Sequence, residues 1–352
     1  MRAIVVSEFG GPEVLSVREV PAPEPRPGQV AIEVAYAGVN YAETMARRGG
    51  LHKGQLPFIP GLEVAGHINA LGEGVEGLRV GQPVAAFTMS GGYAEVALAQ
   101  AILTFPLDGP GGTIDLTTAA GFPTIVPTAY DLLVRVARLQ RGESVLIHAA
   151  AGGVGIIAGQ IARHLGAGLI IGTVSSLKKA TYARAFGYDQ VILRDDFLQG
   201  VRGLTSGRGV DIVLEGVGEP ARSQSLSILA PFGRLVIFGN TSDSVGRPQD
   251  IPLTPGAFLA ENKAIMGYSI GSLSSSANSS RLNSASASVT RESRQLFCGS
   301  SPYCWRIAEA SVLSVMGSAC RWMIFQVPSS RRKRYVTRRA IGLNSSRPAT
   351  RT

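Results

Sequence analysis

Residues 148–162 read HAAAGGVGIIAGQIA, after the apolar run SVLI and before RHLGAGLIIGTV. Alanine and glycine side chains catalyse nothing, but their smallness lets a large charged group approach the backbone. Between a strand and a helix, such a turn leaves free N–H groups at the helix start, where the helix dipole favours negative charge. Ala150-x-Gly152-x-x-Gly155 is the spacing of a dinucleotide phosphate turn, with alanine in the first glycine position. Gly152 would admit a pyrophosphate, Gly153 and Val154 would continue the turn, and Gly155 would allow close packing of helix on strand.

The end of the next strand discriminates between nicotinamide cofactors. An NAD site places Asp or Glu about 20 residues beyond the glycines, on the ribose 2′-hydroxyl. Here that stretch reads GTVSSLKKA, with Thr173, Ser175, Ser176, Lys178 and Lys179 and no carboxylate. Hydroxyl and ammonium groups attract a 2′-phosphate. Arg194, at the end of the following strand, is a further cation. The expected cofactor is NADPH.

Other chemistry has little support. His52, His67, His148 and His164 stand at no metal-ligand spacing, and Cys298, Cys304 and Cys320 all lie in the last 76 residues. No metal site is expected. There is no cysteine nucleophile before residue 298 and no G-x-S-x-G turn. The reactive group would therefore belong to a cofactor.

The first 120 residues carry short apolar or alternating runs (RAIVV, QVAIEVAYAGV, VAGHINAL, VAAF) between turn signals. Four prolines in 21–27 exclude a helix there. This reads as a compact, barrel-like β domain. From Gly121 the pattern becomes βα units with strands that are apolar throughout, as in a parallel sheet covered on both faces. In the helix after the glycine turn, Val154, Ile157, Ala158, Ile161 and Leu165 would form the apolar face. The fold class is α/β: a β-rich domain over 1–123, a Rossmann doubly wound parallel sheet over 124–262, a segment returning to the first domain over 263–276, and an atypical basic tail over 277–352.

That tail holds 13 Lys+Arg against 2 Asp+Glu, whereas the preceding 276 residues hold 21 against 23. The net charge of +9 thus belongs to the tail, and no nucleic-acid partner is expected. Glycine falls from 40 residues before it to 3 within it. A disordered basic extension, a nucleic-acid arm and an out-of-frame translation of GC-rich DNA all give such a composition. No stretch approaches 18 uninterrupted apolar residues, and the start MRAIVVSEFGG has no secretory pattern, so the expectation is a cytoplasmic protein without a membrane span.

Collinear segments over 1–275, among them AGVNYAETMARRG (37–49), LPFIPGLEVAGHINALGEGVEGLRVGQPVAA (56–86), AAGFPTIVPTAYDLL (119–133) and VLIHAAAGGVGIIAGQIARHLGA (145–167), carry a family resemblance. The chain resembles the medium-chain dehydrogenase/reductase superfamily, in its zinc-free, zeta-crystallin-like NADPH:quinone oxidoreductase branch. Zinc-dependent members have Cys and Gly-His-Glu where this chain has Asn40 and Gly61-Leu62-Glu63. The resemblance implies a GroES-like first domain and hydride transfer to a quinone or an α,β-unsaturated carbonyl. It places Asn40 near the nicotinamide and substrate, with Tyr41 as a second candidate donor to the substrate oxygen. Thr128, Gly152, Gly153, Val154, Gly155, Ser175, Lys179, Gly239 and Asn240 would contact the cofactor, and Arg194 stands where many relatives have Tyr. A homodimer is implied for a chain with the family's C-terminal segment. The departure from the family after residue 276 favours the out-of-frame reading of the tail. The alternative function is a catalytically weak NADPH-binding regulatory or structural protein of the same fold.

Overall fold

The computed structural model describes residues 1–50, 56–108, 114–241, 255–271 and 324–326. Apart from 324–326, the tail expectation for 277–352 lies outside the described residues.

The N-terminal part begins with an antiparallel pair, β1 (Arg2–Val6) and β2 (Leu15–Glu19). Next come β3 (Gln29–Gly38), α1 (Tyr41–Arg47), β4 (Glu63–Leu71), β5 (Pro83–Phe87), β6 (Val96–Gln100) and β7 (Thr104–Pro106). β3, β4, β5 and β7 pair in that order, all antiparallel, and β6 pairs with the first half of β3. Alternation along β3 and β4 drives Val30, Ile32, Val34, Val64 and Ile68 into one core with Val84, Ala86, Ala97 and Ala99. β14 (Ile324–Gln326) pairs antiparallel with Tyr36–Gly38 of β3 and covers that stretch of the strand.

Two helices, α2 (Leu116–Ala119) and α3 (Phe122–Asp131), lead into the second domain, and α3 runs on into a π turn at Leu132–Val136. Then follow β8 (Ser144–Ile147), α4 (Gly153–His164), β9 (Leu169–Val174), α5 (Leu177–Ala183), β10 (Gln190–Leu193) and α6 (Phe197–Leu204). The second half comprises β11 (Val210–Glu215), α7 (Ala221–Leu226), β12 (Leu229–Ile237), α8 (Pro255–Glu261) and β13 (Ala264–Gly267). The six strands form one parallel sheet in the order β10-β9-β8-β11-β12-β13. This is a Rossmann sheet beside a GroES-like domain. Its strand order reverses direction between β8 and β11, which places the ligand crevice at the carboxyl ends of those strands.

One expectation is corrected here and one is extended. Residues 264–267, read as part of a returning segment, form the sixth strand, because the apolar run AIMG registers against Arg234–Ile237 of β12. The apolar face expected for α4 packs on the core, with Ile157 and Ala158 buried and Val154, Ile161 and Leu165 partly buried against it, and it is wider than expected, since Gly155, Ile156, Gly159 and Ala162 are buried as well. A Cβ at Gly155 would lie 2.5 Å from the Ala149 carbonyl oxygen and 2.8 Å from the Ala150 Cα, so glycine is needed where the helix meets the turn before it.

Gly155→Ala is expected to destabilise the fold by about 1–3 kcal/mol, because backbone must move to accept the methyl group. Urea unfolding would show the midpoint falling at unchanged slope.

Candidate functional site

The glycine turn sits at the carboxyl end of β8. Ala149 carries the left-handed conformation (φ 53°), so Ala150, in the first fingerprint position, needs no glycine; its side chain is fully buried. Gly152 is the N-cap of α4 and offers no capping side chain, whereas α5 is capped by Ser176, whose side chain accepts the Lys179 N–H. The first N–H groups of α4 have no intrahelical acceptor. An added Cβ at Gly152 would meet only the Ala149 oxygen, at 3.1 Å. These features fit a pyrophosphate. Gly153 stands against Ile125 of α3, and Val154 packs on the edge of the sheet core.

β9 ends beside β8, and β10 beside β9. Lys179 Nζ donates to Ser175 Oγ at 3.1 Å, and both side chains are exposed just beyond β9. Leu193 registers against Val174, which brings Arg194 alongside Ser175 on the neighbouring strand end. Arg194 is half exposed and lies 3.6 Å from the Asp195 carboxylate. The sequence-predicted 2′-phosphate residues are thus brought together on one edge.

Gly239 and Asn240 follow β12, on the other side of the switch point. Arg222 donates to the Gly239 oxygen at 2.9 Å and to Asn240 Oδ1 at 3.1 Å. Its Nε pairs with Glu215 at 2.9 Å, and Glu215 also accepts the Gly218 N–H at 2.7 Å. Both partners of this ion pair are buried. Every polar atom of the pair that is accounted for holds the loops after β11 and β12, so the pair fixes the position of Gly239 and Asn240. The sequence reading missed both. An acidic residue ending the apolar run VDIVLE was the available signal.

On the facing domain, Asn40 caps α1. Its Nδ2 donates to Glu63 Oε1 at 2.8 Å, and its N–H donates to Glu43 Oε2. Glu43 Oε1 accepts the Leu62 N–H at 2.8 Å, and Glu63 Oε2 accepts the Thr124 N–H of α3 at 2.8 Å. Glu63 and Glu43 are buried, only 2% and 6% exposed. Burial pushes Glu43 up to about 7, and burial with the neighbouring Glu43 does the same to Glu63. The Tyr93 hydroxyl is buried beside them, and that burial followed by the two carboxylates raises its pKa. Neither glutamate was singled out from sequence, although Glu63 also interrupts an apolar run.

Tyr41 lies half exposed, with its hydroxyl donating to the Thr241 carbonyl at 2.8 Å, across from its own domain. Its proton is therefore engaged, leaving oxygen lone pairs. Thr128 is buried on α3 and donates to the Thr124 carbonyl at 2.7 Å. Asn40, through Glu63, and Tyr41, directly, are thus tied to Thr124 and Thr241 of the second domain, and Thr128 lies one helical turn after Thr124.

Comparison with known proteins agrees with this architecture. Residues 26–111 match the model of the alcohol dehydrogenase GroES-like domain, and residues 153–285 match that of the zinc-binding dehydrogenase. A quinone oxidoreductase of Rattus norvegicus is 36% identical over 275 residues, covering 77% of this chain and 80% of the relative. A 2-haloacrylate reductase of Burkholderia sp is 36% identical over 268 residues, covering 73% and 79%. The structure of Escherichia coli quinone oxidoreductase complexed with NADPH superposes with a TM-score of 0.72 at 30% identity, covering 84% of this chain and 87% of that one. The chain belongs to the medium-chain dehydrogenase/reductase family, in its quinone oxidoreductase branch. Zinc, named in one matching model, does not fit the residues present. The amide of Asn40 and the alkyl chain of Leu62 replace thiolate and imidazole, and no group of three or more His, Cys, Asp or Glu among the described residues could hold a metal. No helix among those residues is long and apolar enough to cross a membrane.

Just before the glycine turn stands His148. Its Nε2 is 2.8 Å from Ser225 Oγ, whose single proton goes to the Ala221 carbonyl at 2.6 Å. Nε2 must therefore carry the ring proton, and Nδ1 accepts from Thr173 Oγ1 at 2.9 Å. The ring packs edge-on against Phe197 at 5.0 Å. Burial, with Arg194 adding repulsion, lowers its pKa to about 4. A depressed histidine means that the unfolded chain binds the proton first. The contribution of neutral His148 is complete above the unfolded value near 6.5 and is lost as pH falls through 4, a change of about 3 kcal/mol. Glu43 and Glu63 shift stability in the opposite direction over an overlapping range, so the measurement is a difference. The unfolding free energy of wild type minus that of His148→Gln should be constant above pH 7 and shrink by about 3 kcal/mol by pH 4. A difference independent of pH would mean that the ring titrates alike in both states.

Proposed function

We propose that the chain is an NADPH-dependent reductase that delivers hydride to a quinone or an α,β-unsaturated carbonyl without zinc. The observation that carries the reading is the array along one sheet edge: an uncapped helix N-terminus at Gly152–Gly155, followed on the next strand ends by Ser175, Lys179 and Arg194 with no carboxylate at the end of β9. The 2-haloacrylate reductase among the relatives, named for an α,β-unsaturated acid, supports the enone class alongside quinones.

NADPH, when bound, supplies the hydride. The residues of the chain bind, orient and polarise. The α4 N-terminus holds the pyrophosphate, and Ser175, Lys179 and Arg194 hold the 2′-phosphate. Gly239 and Asn240, fixed by Arg222, border the nicotinamide end of the crevice. Reduction of a carbonyl-conjugated acceptor develops negative charge on oxygen, and the second Nδ2 hydrogen of Asn40 is the donor assigned to it. Tyr41, its proton committed to Thr241, serves to hold the two domains together at this point. Water supplies the proton that completes the reduction.

The test is NADPH oxidation by protein dialysed against a chelator, with a benzoquinone and with 2-chloroacrylate. At least one acceptor should be reduced catalytically, and Gly152→Asp should weaken NADPH binding by tenfold or more while the fold is kept, since its Cβ would crowd one atom only, the Ala149 oxygen at 3.1 Å. Binding without turnover of either class would favour the non-catalytic alternative. Unchanged NADPH affinity in Gly152→Asp would remove the phosphate-turn assignment.

Cofactor choice has a separate check. Lys179→Ala and Arg194→Ala should each weaken NADPH about tenfold, the worth of one charged hydrogen bond, and NADH less than twofold. Equal losses for both cofactors in a fluorescence titration would take these side chains off the 2′-phosphate.

A further inference from the structure

We infer that Glu63 is a positioning residue, which sets the Asn40 amide and the start of α3 against one another, with Glu43 holding the backbone on both sides of it. The inference rests on the reading of Asn40 as the substrate donor.

All four oxygens of the two carboxyls are assigned. Glu63 takes the Asn40 Nδ2 on one oxygen and the Thr124 N–H on the other, each at 2.8 Å. Glu43 takes the Asn40 N–H and, at 2.8 Å, the N–H of Leu62, the residue before Glu63. Asn40 is therefore gripped at both of its nitrogens by different carboxyls. Thr124 opens the helix that carries Thr128 one turn later. One buried carboxyl thus spans the substrate side and the cofactor side of the crevice.

The fold makes room for this group. A Cβ at Gly38 would lie 2.3 Å from Glu63 Oε1 and 2.7 Å from the Ala120 carbonyl, so glycine is required there by close approach. Among the described residues no lysine or arginine forms an ion pair with either glutamate. Two adjacent buried carboxyls without a cation are costly, and the four amide donors offset part of that cost. The arrangement also fixes which end of Asn40 faces which way. In its ionised form the Glu63 carboxylate only accepts, which keeps Nδ2 pointed at it, as the 2.8 Å bond shows, and Oδ1 away. A glutamine at position 63 would have to satisfy Asn40 Nδ2 and Thr124 N–H with one carbonyl oxygen. It would present its own NH2 to the other donor, which releases the Asn40 amide or turns it over.

The experiment compares Glu63→Gln, Asn40→Ala and the double variant as full-length protein, reading kcat and KM with the better acceptor, NADPH affinity and binding stoichiometry. Glu63→Gln should lower kcat about tenfold, with one NADPH still bound per chain and its Kd changed less than threefold. Asn40→Ala should lower kcat at least as much, and adding Glu63→Gln to it should cost no further activity, because Glu63 acts through Asn40. A kcat loss below threefold in Glu63→Gln overturns the inference. So does a double variant slower than Asn40→Ala by the same factor as Glu63→Gln slows wild type. Should Glu63→Gln fail to fold, Glu63→Asp, which withdraws the carboxyl by one methylene, decides by the same criteria. If Asn40→Ala itself turns over at the wild-type rate, the donor reading fails. If Asn40→Ala is slow and Glu63→Gln is not, only the positioning role fails.

Discussion

The close approach of α4 to the turns around it sets the terms for the rest of the molecule. At Gly155 the helix comes so near the backbone of Ala149 and Ala150, in the turn after β8, that no Cβ fits, and at Gly159 an added Cβ would lie 2.5 Å from the Phe186 carbonyl. The left-handed Ala149 turns the chain into the helix at this point. A larger residue at either glycine would push the helix away and withdraw its free N–H groups from the crevice.

Around this fixed point the strand ends are tied by buried polar pairs rather than by further apolar packing. His148 joins β8, β9 and α7 through Thr173 and Ser225, and Arg222–Glu215 joins the loops after β11 and β12. A loop at a strand end has backbone groups that need partners and little apolar surface to hold it. Hydrogen-bonded side chains supply both direction and distance. The same device recurs between the domains, where Glu63 reaches from β4 to α3 and Tyr41 from α1 to Thr241. The crevice is thus framed by directional bonds, which specify geometry more tightly than apolar contact does.

The zinc-dependent pattern of the family and the arrangement here use one location differently. Where a metal would need thiolate and imidazole, this chain has an amide, an alkyl side chain and two buried carboxyls with raised pKa values. A neutral amide donor can stabilise developing charge on a substrate oxygen without a resident cation.

Much of this was determined by sequence alone, because the relevant signals are local. The glycine spacing at 150–155, the missing carboxylate after β9, the apolar strands of the second domain and the missing thiolate and imidazole at Asn40 and Leu62 depend on neighbours within a few residues or on residue type. The tertiary structure decided what depends on residues far apart in the chain. It widened the buried face of α4 to take in Gly155 and Gly159, where backbone from neighbouring turns leaves no room for a Cβ. It placed Ala264–Gly267 in the parallel sheet, since a four-residue apolar run carries no mark of its partner. It also brought Asn40 to Glu63 and Thr124, and His148 to Thr173 and Ser225, over separations of 23 to 77 residues. Buried polar pairs leave no periodicity in a sequence, for each half is only an isolated charged or polar residue until folding removes the water around it and supplies the other.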